Sequence, residues 1–136
     1  AASGLSKECA DKLGDLLSKG LETVREAEDL GITIAYGTDL LGAMHSHQLK
    51  GLSLHSRAGQ SAESILASAT VNCAKLFQME NLVGSIAPGY YADIVLVTVN
   101  PLVELTKLED SSNMLMVMKE GVVLKDTLAQ FQPYNG

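Results

Sequence analysis

Apolar side chains follow a helical period over the first thirty residues. From Ser6 to Leu30 they recur at spacings of three and four, which places them on one face of a helix. The members of this face are Leu13, Leu16, Leu17, Leu21, Val24 and Ala27. Ser6 suits the N-cap and Gly31 suits the C′ position, so the pattern predicts one amphipathic helix over residues 6–30.

A short apolar run follows this helix and predicts a buried strand. Ile32 to Tyr36 is rich in β-branched residues, is bounded by Gly31 and Gly37, and is short for a helix. A helix followed by a strand buried on both faces is typical of a parallel α/β unit. The sequence therefore predicts α/β architecture in this part of the chain.

Two further helices are predicted before residue 80. After a loop over residues 40–44, the first helix covers residues 47–57 and ends at the break Ala58-Gly59. Ser61 suits the N-cap of the second helix, which continues to about Gln78. We expect its apolar side chains to face a core.

The pattern changes to short strands and turns after Asn81. Asp93 to Val99 predicts a strand that Asn100-Pro101 ends. Met114 to Lys119 and Val122 to Lys125 predict a β-hairpin across Glu120-Gly121, in which the alternating methionines fill a core. We expect the tail after Asp126 to be poorly ordered.

Composition narrows the classes of partner. Ten Lys and Arg against sixteen Asp and Glu give a net charge of −6, which disfavours nucleic acid and anionic membranes. The sequence contains no apolar run of roughly 18 residues, the length of a membrane span, and we expect a cytoplasmic protein. Cys9 and Cys73 could pair only if the fold brings their Cα atoms to about 5.5 Å. Otherwise they are two free, buried thiols.

Asp39 is the first candidate for chemistry. It follows the predicted strand at its carboxyl end, the edge where parallel α/β folds collect ligands and catalytic groups. A carboxylate there can bind a metal ion or accept a proton from bound water. The alternative is a helix N-cap or a turn residue, because Asp commonly has either role after a strand.

Three histidines offer a second, weaker pattern. His45 and His47 would share one face of a strand and could bind one metal ion, or they are a solvated pair in a loop or at the start of a helix. His55 lies eight residues beyond His47, about two helical turns away and too far to share an ion. We therefore interpret His55 as a surface or packing residue.

Ordered motifs along nearly the whole chain resemble the amidohydrolase superfamily. Gly31 to Asp39 is similar to its last barrel strand, whose Gly-Thr-Asp ends in the active-site aspartate. Ser61 to Thr70, continued by Asn72 and Ala74, is similar to its alanine-rich helix. Gly84 to Val97 resembles its Gly-Ser-Ile…Pro-Gly…Ala-Asp signature. Further matches are Asn100-Pro101-Leu102 and Val117 to Gly121. The nearest subgroups are prolidase-like, imidazolonepropionase-like and ochratoxinase-like enzymes.

This resemblance implies the C-terminal part of a (β/α)8 TIM-like barrel plus the C-terminal strands of a small β-sandwich. Residues 1–80 would hold the last barrel helix, strand and following helices, and residues 81–136 the sandwich share and tail. It also implies one or two zinc ions, with Asp39 as a metal ligand and proton shuttle and the other ligands outside this chain. The family's His-x-His lies on the first strand, so His45 and His47 would instead line the substrate pocket.

The implied activity is hydrolysis of amide, peptide-like or cyclic amide C–N bonds by metal-activated water. With one predicted ligand and one barrel strand, we expect the chain to be inactive alone. We expect it to bind the upstream barrel segment of the same enzyme, to act on a small or dipeptide-like amide, and to form a homo-oligomer. The alternative is a non-catalytic interaction or antigen module that retains this fold.

Overall fold

The long predicted helix is present. A computed structural model describes residues 7–128, and within it α1 covers Lys7–Asp29. The N-cap prediction for Ser6 lies outside the described residues. At the other end Gly31 has φ +69°, its N–H donates to the Glu28 carbonyl (2.9 Å), and the Ile32 N–H donates to the Ala27 carbonyl (2.8 Å). These two bonds form a Schellman motif, which confirms Gly31 as the residue that ends the helix.

The predicted strand over Ile32 to Tyr36 is not formed as a strand. Residues 32–41 are free of helix and strand, and no other segment within residues 7–128 pairs with them in a sheet. The segment instead contacts helices, for the Tyr36 N–H donates to the Ser68 carbonyl at 3.0 Å. The backbone N–H and C=O groups of a strand are paired with those of a neighbouring strand. The apolar character of residues 32–36 was therefore not sufficient to predict a strand there.

The predicted loop and helix after Asp39 have different bounds. A 3₁₀ helix covers Gly42–Lys50 and continues into α2, Gly51–Arg57. The loop prediction over 40–44 is therefore wrong from Gly42 onward. The N-cap of α2, Lys50, makes no side-chain cap, and the Glu109 carboxylate instead accepts hydrogen bonds from the Ser53 N–H (3.0 Å) and the Ser53 hydroxyl. A distant residue thus caps this helix.

The helix predicted from Ser61 to Gln78 is two helices. α3 covers Ala62–Ala69 and α4 covers Val71–Leu76. Ser61 is confirmed as the N-cap, because its hydroxyl accepts from the Ser64 N–H at 3.1 Å. Thr70 separates the helices with non-helical angles, φ −126° and ψ −90°.

The remaining residues form a three-stranded antiparallel sheet in the order β1–β2–β3. β1 covers Ile94–Val97, shorter than the predicted 93–99, while β2 (Met114–Lys119) and β3 (Val122–Asp126) confirm the hairpin. Glu120 and Gly121 have φ +50° and +80°, as a tight hairpin turn of the primed type requires. Asp93 holds this turn, since its carboxylate accepts from the Glu120 N–H (2.7 Å) and from the Lys119 ammonium (2.9 Å).

One core cluster joins the helices to the sheet region. It consists of Leu52 and Ile65 from the helices with Leu105 and Leu108 from a 3₁₀ helix, Leu105–Glu109, that precedes β2. A further 3₁₀ turn, Ser111–Asn113, leads into β2. The cluster takes residues from both sides of the predicted division at residue 80. Among residues 7–128, none of the helices combines the length and apolar character needed to cross a bilayer.

Candidate functional site

Residues 32–41 are called the extended segment below. Asp39 lies near its C-terminal end, and its side chain is exposed. Thr38 beside it is half-buried, and Tyr36 further back packs against the core. The backbone of Asp39 has φ +49°, a left-handed conformation that is uncommon outside glycine and that Asp and Asn tolerate best. Strained backbone of this kind is concentrated at functional sites.

The two remaining predicted site residues lie on the 3₁₀ helix that follows. His45 and His47 are both exposed and belong to Gly42–Lys50, so they are not alternate residues of a strand. A cavity of about 290 Å³ lies between this helix, α2 and the extended segment. His47 and Thr38 line it, whereas neither His45 nor Asp39 is among the described residues of its wall. His47 therefore lies beside the segment that contains Asp39, whereas His45 is not among the residues that line their shared cavity.

Tyr36 and His55 both line this cavity and their rings are in contact. Their rings lie 5.2 Å apart between centroids and are tilted by 39°, and the Tyr36 hydroxyl donates to the Gln48 carbonyl at 2.9 Å. His55 Nδ1 is hydrogen-bonded to the side-chain oxygen of the buried Gln60. His55 is half-buried, as a packing residue is. The sequence did not predict Tyr36 as a residue of this cavity, because an aromatic side chain at the end of an apolar run is typical of a core residue.

Burial and charge both act on the Tyr36 hydroxyl. Partial burial is the main reason that the pKa of Tyr36 is raised above its ordinary value, and the negative charge of Glu109 adds to this. Both effects disfavour the phenolate. Tyr36 is therefore a neutral hydrogen-bond donor in this cavity at neutral pH.

Metal ligands are not clustered in the part of the chain that the structure describes. No group of three His, Cys, Asp or Glu side chains within it could hold an ion. Asp39 by itself supplies an exposed carboxyl group, a ligand of the type that divalent ions bind. Asp39 therefore fits the role of one ligand in a metal site whose other ligands come from outside the described residues.

A larger cavity, about 480 Å³, lies between α3, α4 and β1. Its wall is mostly apolar and includes Phe77, Ile86 and Tyr91. Cys73 also lines it. It is a free thiol, as predicted, but it is half-buried where a buried thiol was expected. The side chain of Cys9 lies outside the described residues. The cavity contains none of the three residues predicted for the site.

Comparison with known proteins agrees with the sequence motifs that resemble the amidohydrolase superfamily. The model of the amidohydrolase family matches residues 6–124. Adenine deaminase from Clostridium botulinum (strain Loch Maree / Type A3) is 41% identical over 66 residues, which are 48% of this chain and 11% of that protein.

Solved structures extend the similarity to three dimensions. A prolidase complexed with N-methylphosphonate-L-proline aligns with a TM-score of 0.79 and 28% identity, over 90% of this chain and 30% of its own. The ochratoxinase of A. niger aligns with a TM-score of 0.70 and 31% identity, over 92% and 29%. The chain thus spans under a third of the length of these relatives. Because the family model matches most of its residues, the chain belongs to the amidohydrolase family.

Proposed function

We propose that the chain is the C-terminal part of a metal-dependent amidohydrolase, inactive alone, whose barrel is completed by an upstream segment of the same enzyme. Residues 32–36 would be the last barrel strand, and β1 to β3 the C-terminal strands of the β-sandwich. Support comes from residues 32–41, which form no helix and pair with no strand within residues 7–128. The alignment over 90% of the chain with a prolidase supports the same arrangement.

Asp39 would contribute a carboxylate to the active site. The observation that carries this role is its position: exposed, in a left-handed conformation, at the carboxyl end of the extended segment. One or two divalent ions, zinc by our proposal, would lower the pKa of a bound water when present. Asp39 would help to hold the ion and would accept the proton of that water through its carboxylate.

The proposed substrate is a small or dipeptide-like amide. The ligand of the related prolidase, N-methylphosphonate-L-proline, carries a tetrahedral phosphorus where an amide would carry a planar carbon. Such a centre mimics the tetrahedral intermediate formed when water adds to an amide. His47 lines the cavity beside Thr38, and His45 lies on the same 3₁₀ helix. We assign both histidines to the substrate side of the site.

A second candidate is hydrolytic deamination of a heterocycle. The similarity to adenine deaminase over 66 residues favours it. Both reactions replace a C–N bond by attack of water, so Asp39 would have the same role in each. The substrate would then be a purine-like amidine, and the two activities are separated by assaying both substrates.

Exposed apolar side chains support a protein partner, and we propose that this partner is the remainder of the enzyme. Several large ones project into solvent, including Ile32, Leu41, Leu76, Phe77 and Val103. Exposed apolar side chains that lie together on a surface can mark a protein interaction site. A homo-oligomer of the completed enzyme is a further proposal. The alternative, a non-catalytic interaction module, would cover these surfaces with a different protein and would need no metal.

The test is Asp39→Asn in the enzyme completed by its upstream segment. Asn keeps the shape of the side chain and tolerates a positive φ, but it cannot accept the proton. We expect kcat for dipeptide-like amides to fall by about 10²- to 10⁴-fold. Metal analysis of the same samples would follow the ligand role, and Asn100→Asp would serve as a control for an added or removed charge.

Unchanged activity in Asp39→Asn would refute the catalytic assignment. If the complete enzyme purifies folded but without metal and without either activity, the interaction module is the correct function. Stoichiometric zinc on the isolated chain of 136 residues would contradict the proposal that the other ligands lie elsewhere.

A further inference from the structure

We propose that Asn72 is a positioning residue for Asp39, and that it acts with the break between α3 and α4 as a clamp on the extended segment. This inference rests on the proposed function of Asp39. It concerns a residue that touches neither metal nor substrate. Two backbone groups of the segment, the Ile34 carbonyl and the Tyr36 N–H, are held by residues on either side of Thr70.

The first contact is made by the Asn72 side chain. Its Nδ2 donates to the Ile34 carbonyl at 2.9 Å, and both residues are half-buried. In a parallel sheet this carbonyl would bond to a neighbouring strand or to solvent. Here a side-chain amide on the second residue of α4 takes that place. The contact spans 38 positions in sequence, so it fixes the segment to the helices rather than to its own turn.

The helix break supplies the second contact. In an unbroken α-helix the Ser68 carbonyl would face the N–H of residue 72. Because Thr70 adopts non-helical angles, this carbonyl accepts from the Tyr36 N–H at 3.0 Å and from the Cys73 thiol at 3.1 Å. The Ser68 hydroxyl, fully buried, donates to the Ile65 carbonyl at 2.7 Å and keeps the end of α3 in place.

A third contact closes the segment on the other side of Asp39. The Tyr36 hydroxyl donates to the Gln48 carbonyl, so a loop of twelve positions that contains Asp39 is fixed at both ends. Within it Asp39 lies three residues beyond Tyr36. A shift of the segment at Ile34 or Tyr36 therefore moves the carboxylate directly, and a misplacement of about 1 Å can lower a rate by about 100-fold.

The experiment compares two matched substitutions in the completed enzyme. Asn72→Asp keeps the shape of the side chain but replaces the donor to a backbone carbonyl with an acceptor. Asn113→Asp makes the same change at Asn113, whose Nδ2 donates to the Lys107 carbonyl at 2.8 Å, far along the chain from Asp39. Asn72→Ala removes the donor without adding charge and serves as a second variant if Asn72→Asp does not fold.

Two measurements are made on each variant. In the Asn72 variants, we expect amide hydrogen exchange within residues 32–40 to become at least about tenfold faster, because one of few contacts is lost. We expect kcat to fall by about 10- to 100-fold, with a smaller change in KM. In Asn113→Asp we expect exchange of residues 32–40 to stay within about twofold of the parent, because its bond lies outside the clamp.

Equal effects of the Asn72 and Asn113 variants on both measurements would overturn the inference, because they would indicate a general loss of stability. Faster exchange with an unchanged kcat would also overturn it. Full activity of Asp39→Asn would instead refute the proposed function. The exchange measurement does not depend on activity, so the two failures are distinguishable.

Discussion

Residues 32–41 and the β-hairpin of β2 and β3 are both apolar runs next to glycine, yet only the hairpin is a sheet. The hairpin carries its pairing partner a few residues away, across Glu120-Gly121. Residues 32–41 are held by helices through Ser68 and Asn72, and no strand within residues 7–128 pairs with them. The comparison teaches that a strand is a property of two segments, and that one sequence run specifies only half of it.

The two regions nevertheless pack against one core, through Tyr36 and Met114, so the largest effect should come from a residue in that core. Ile65 is fully buried between Leu52 and the pair Leu105 and Leu108. We expect Ile65→Ala to lower the free energy of unfolding by about 2–5 kcal/mol. Denaturant titration with probes in each region measures this, and both probes should shift together.

The matched control is Ile86→Ala, because Ile86 is 83% exposed. Its effect should stay within about 0.5 kcal/mol. If Ile65→Ala shifted only the unfolding transition seen by the probe in residues 32–41, the shared core would not couple the two regions.

A smaller effect should be confined to the extended segment. A Cβ added at Gly51 would overlap the Tyr36 hydroxyl. We expect Gly51→Ala to displace Tyr36 from Gln48 and to lower the free energy of unfolding by about 1–3 kcal/mol. Gly14→Ala is the control, since nothing lies within 4 Å of its added Cβ, and there we expect a gain of up to about 1 kcal/mol.

Thermal unfolding of both glycine variants measures the difference. A Gly51→Ala protein as stable as its parent would mean that the Tyr36 ring can move without cost. The extended segment would then be less tightly held than its contacts indicate.

The smallest effect concerns the hairpin and depends on pH. The hydrogen bond from Lys119, and then that from the Glu120 N–H, hold the pKa of Asp93 below its ordinary value. A lowered pKa means that the ionised carboxylate is favoured in the folded state. Its contribution to stability is present above the unfolded pKa, about 3.9, and is lost as pH falls through the lower folded pKa.

Asp93→Asn should therefore lower stability at pH 7 and reduce the loss of stability between pH 7 and pH 2. Thermal unfolding across this range measures both. Lys119→Gln removes the partner and should change the curve in the same direction. A parent and an Asp93→Asn protein with parallel curves would show that the carboxylate does not stabilise the turn through its charge.

Local signals in the sequence predicted those parts of the fold that local contacts form. The period of α1, the N-cap at Ser61 and the hairpin turn at Glu120-Gly121 each depend on neighbours within a few residues. Family resemblance singled out Asp39, which spacing alone left as either a turn residue or a catalytic group. The assignment of His45 and His47 to the substrate pocket stays a prediction.

Other features could not be predicted because distant residues create them. The break at Thr70 has no glycine or proline to mark it, and it accompanies a bond from Tyr36 that spans more than thirty positions. The cap of α2 by Glu109 likewise comes from the far side of the predicted division. Residue type at a single position does not report such contacts.

The left-handed backbone at Asp39 also limits which acid can stand there. Aspartate enters this conformation with the help of its short polar side chain, whereas a glutamate meets the full steric penalty of roughly 1–2 kcal/mol. Lengthening the carboxylate to reach a larger substrate would thus distort the loop before it extended the reach. Any redesign of the proposed active site has to move its other walls and leave this acid unchanged.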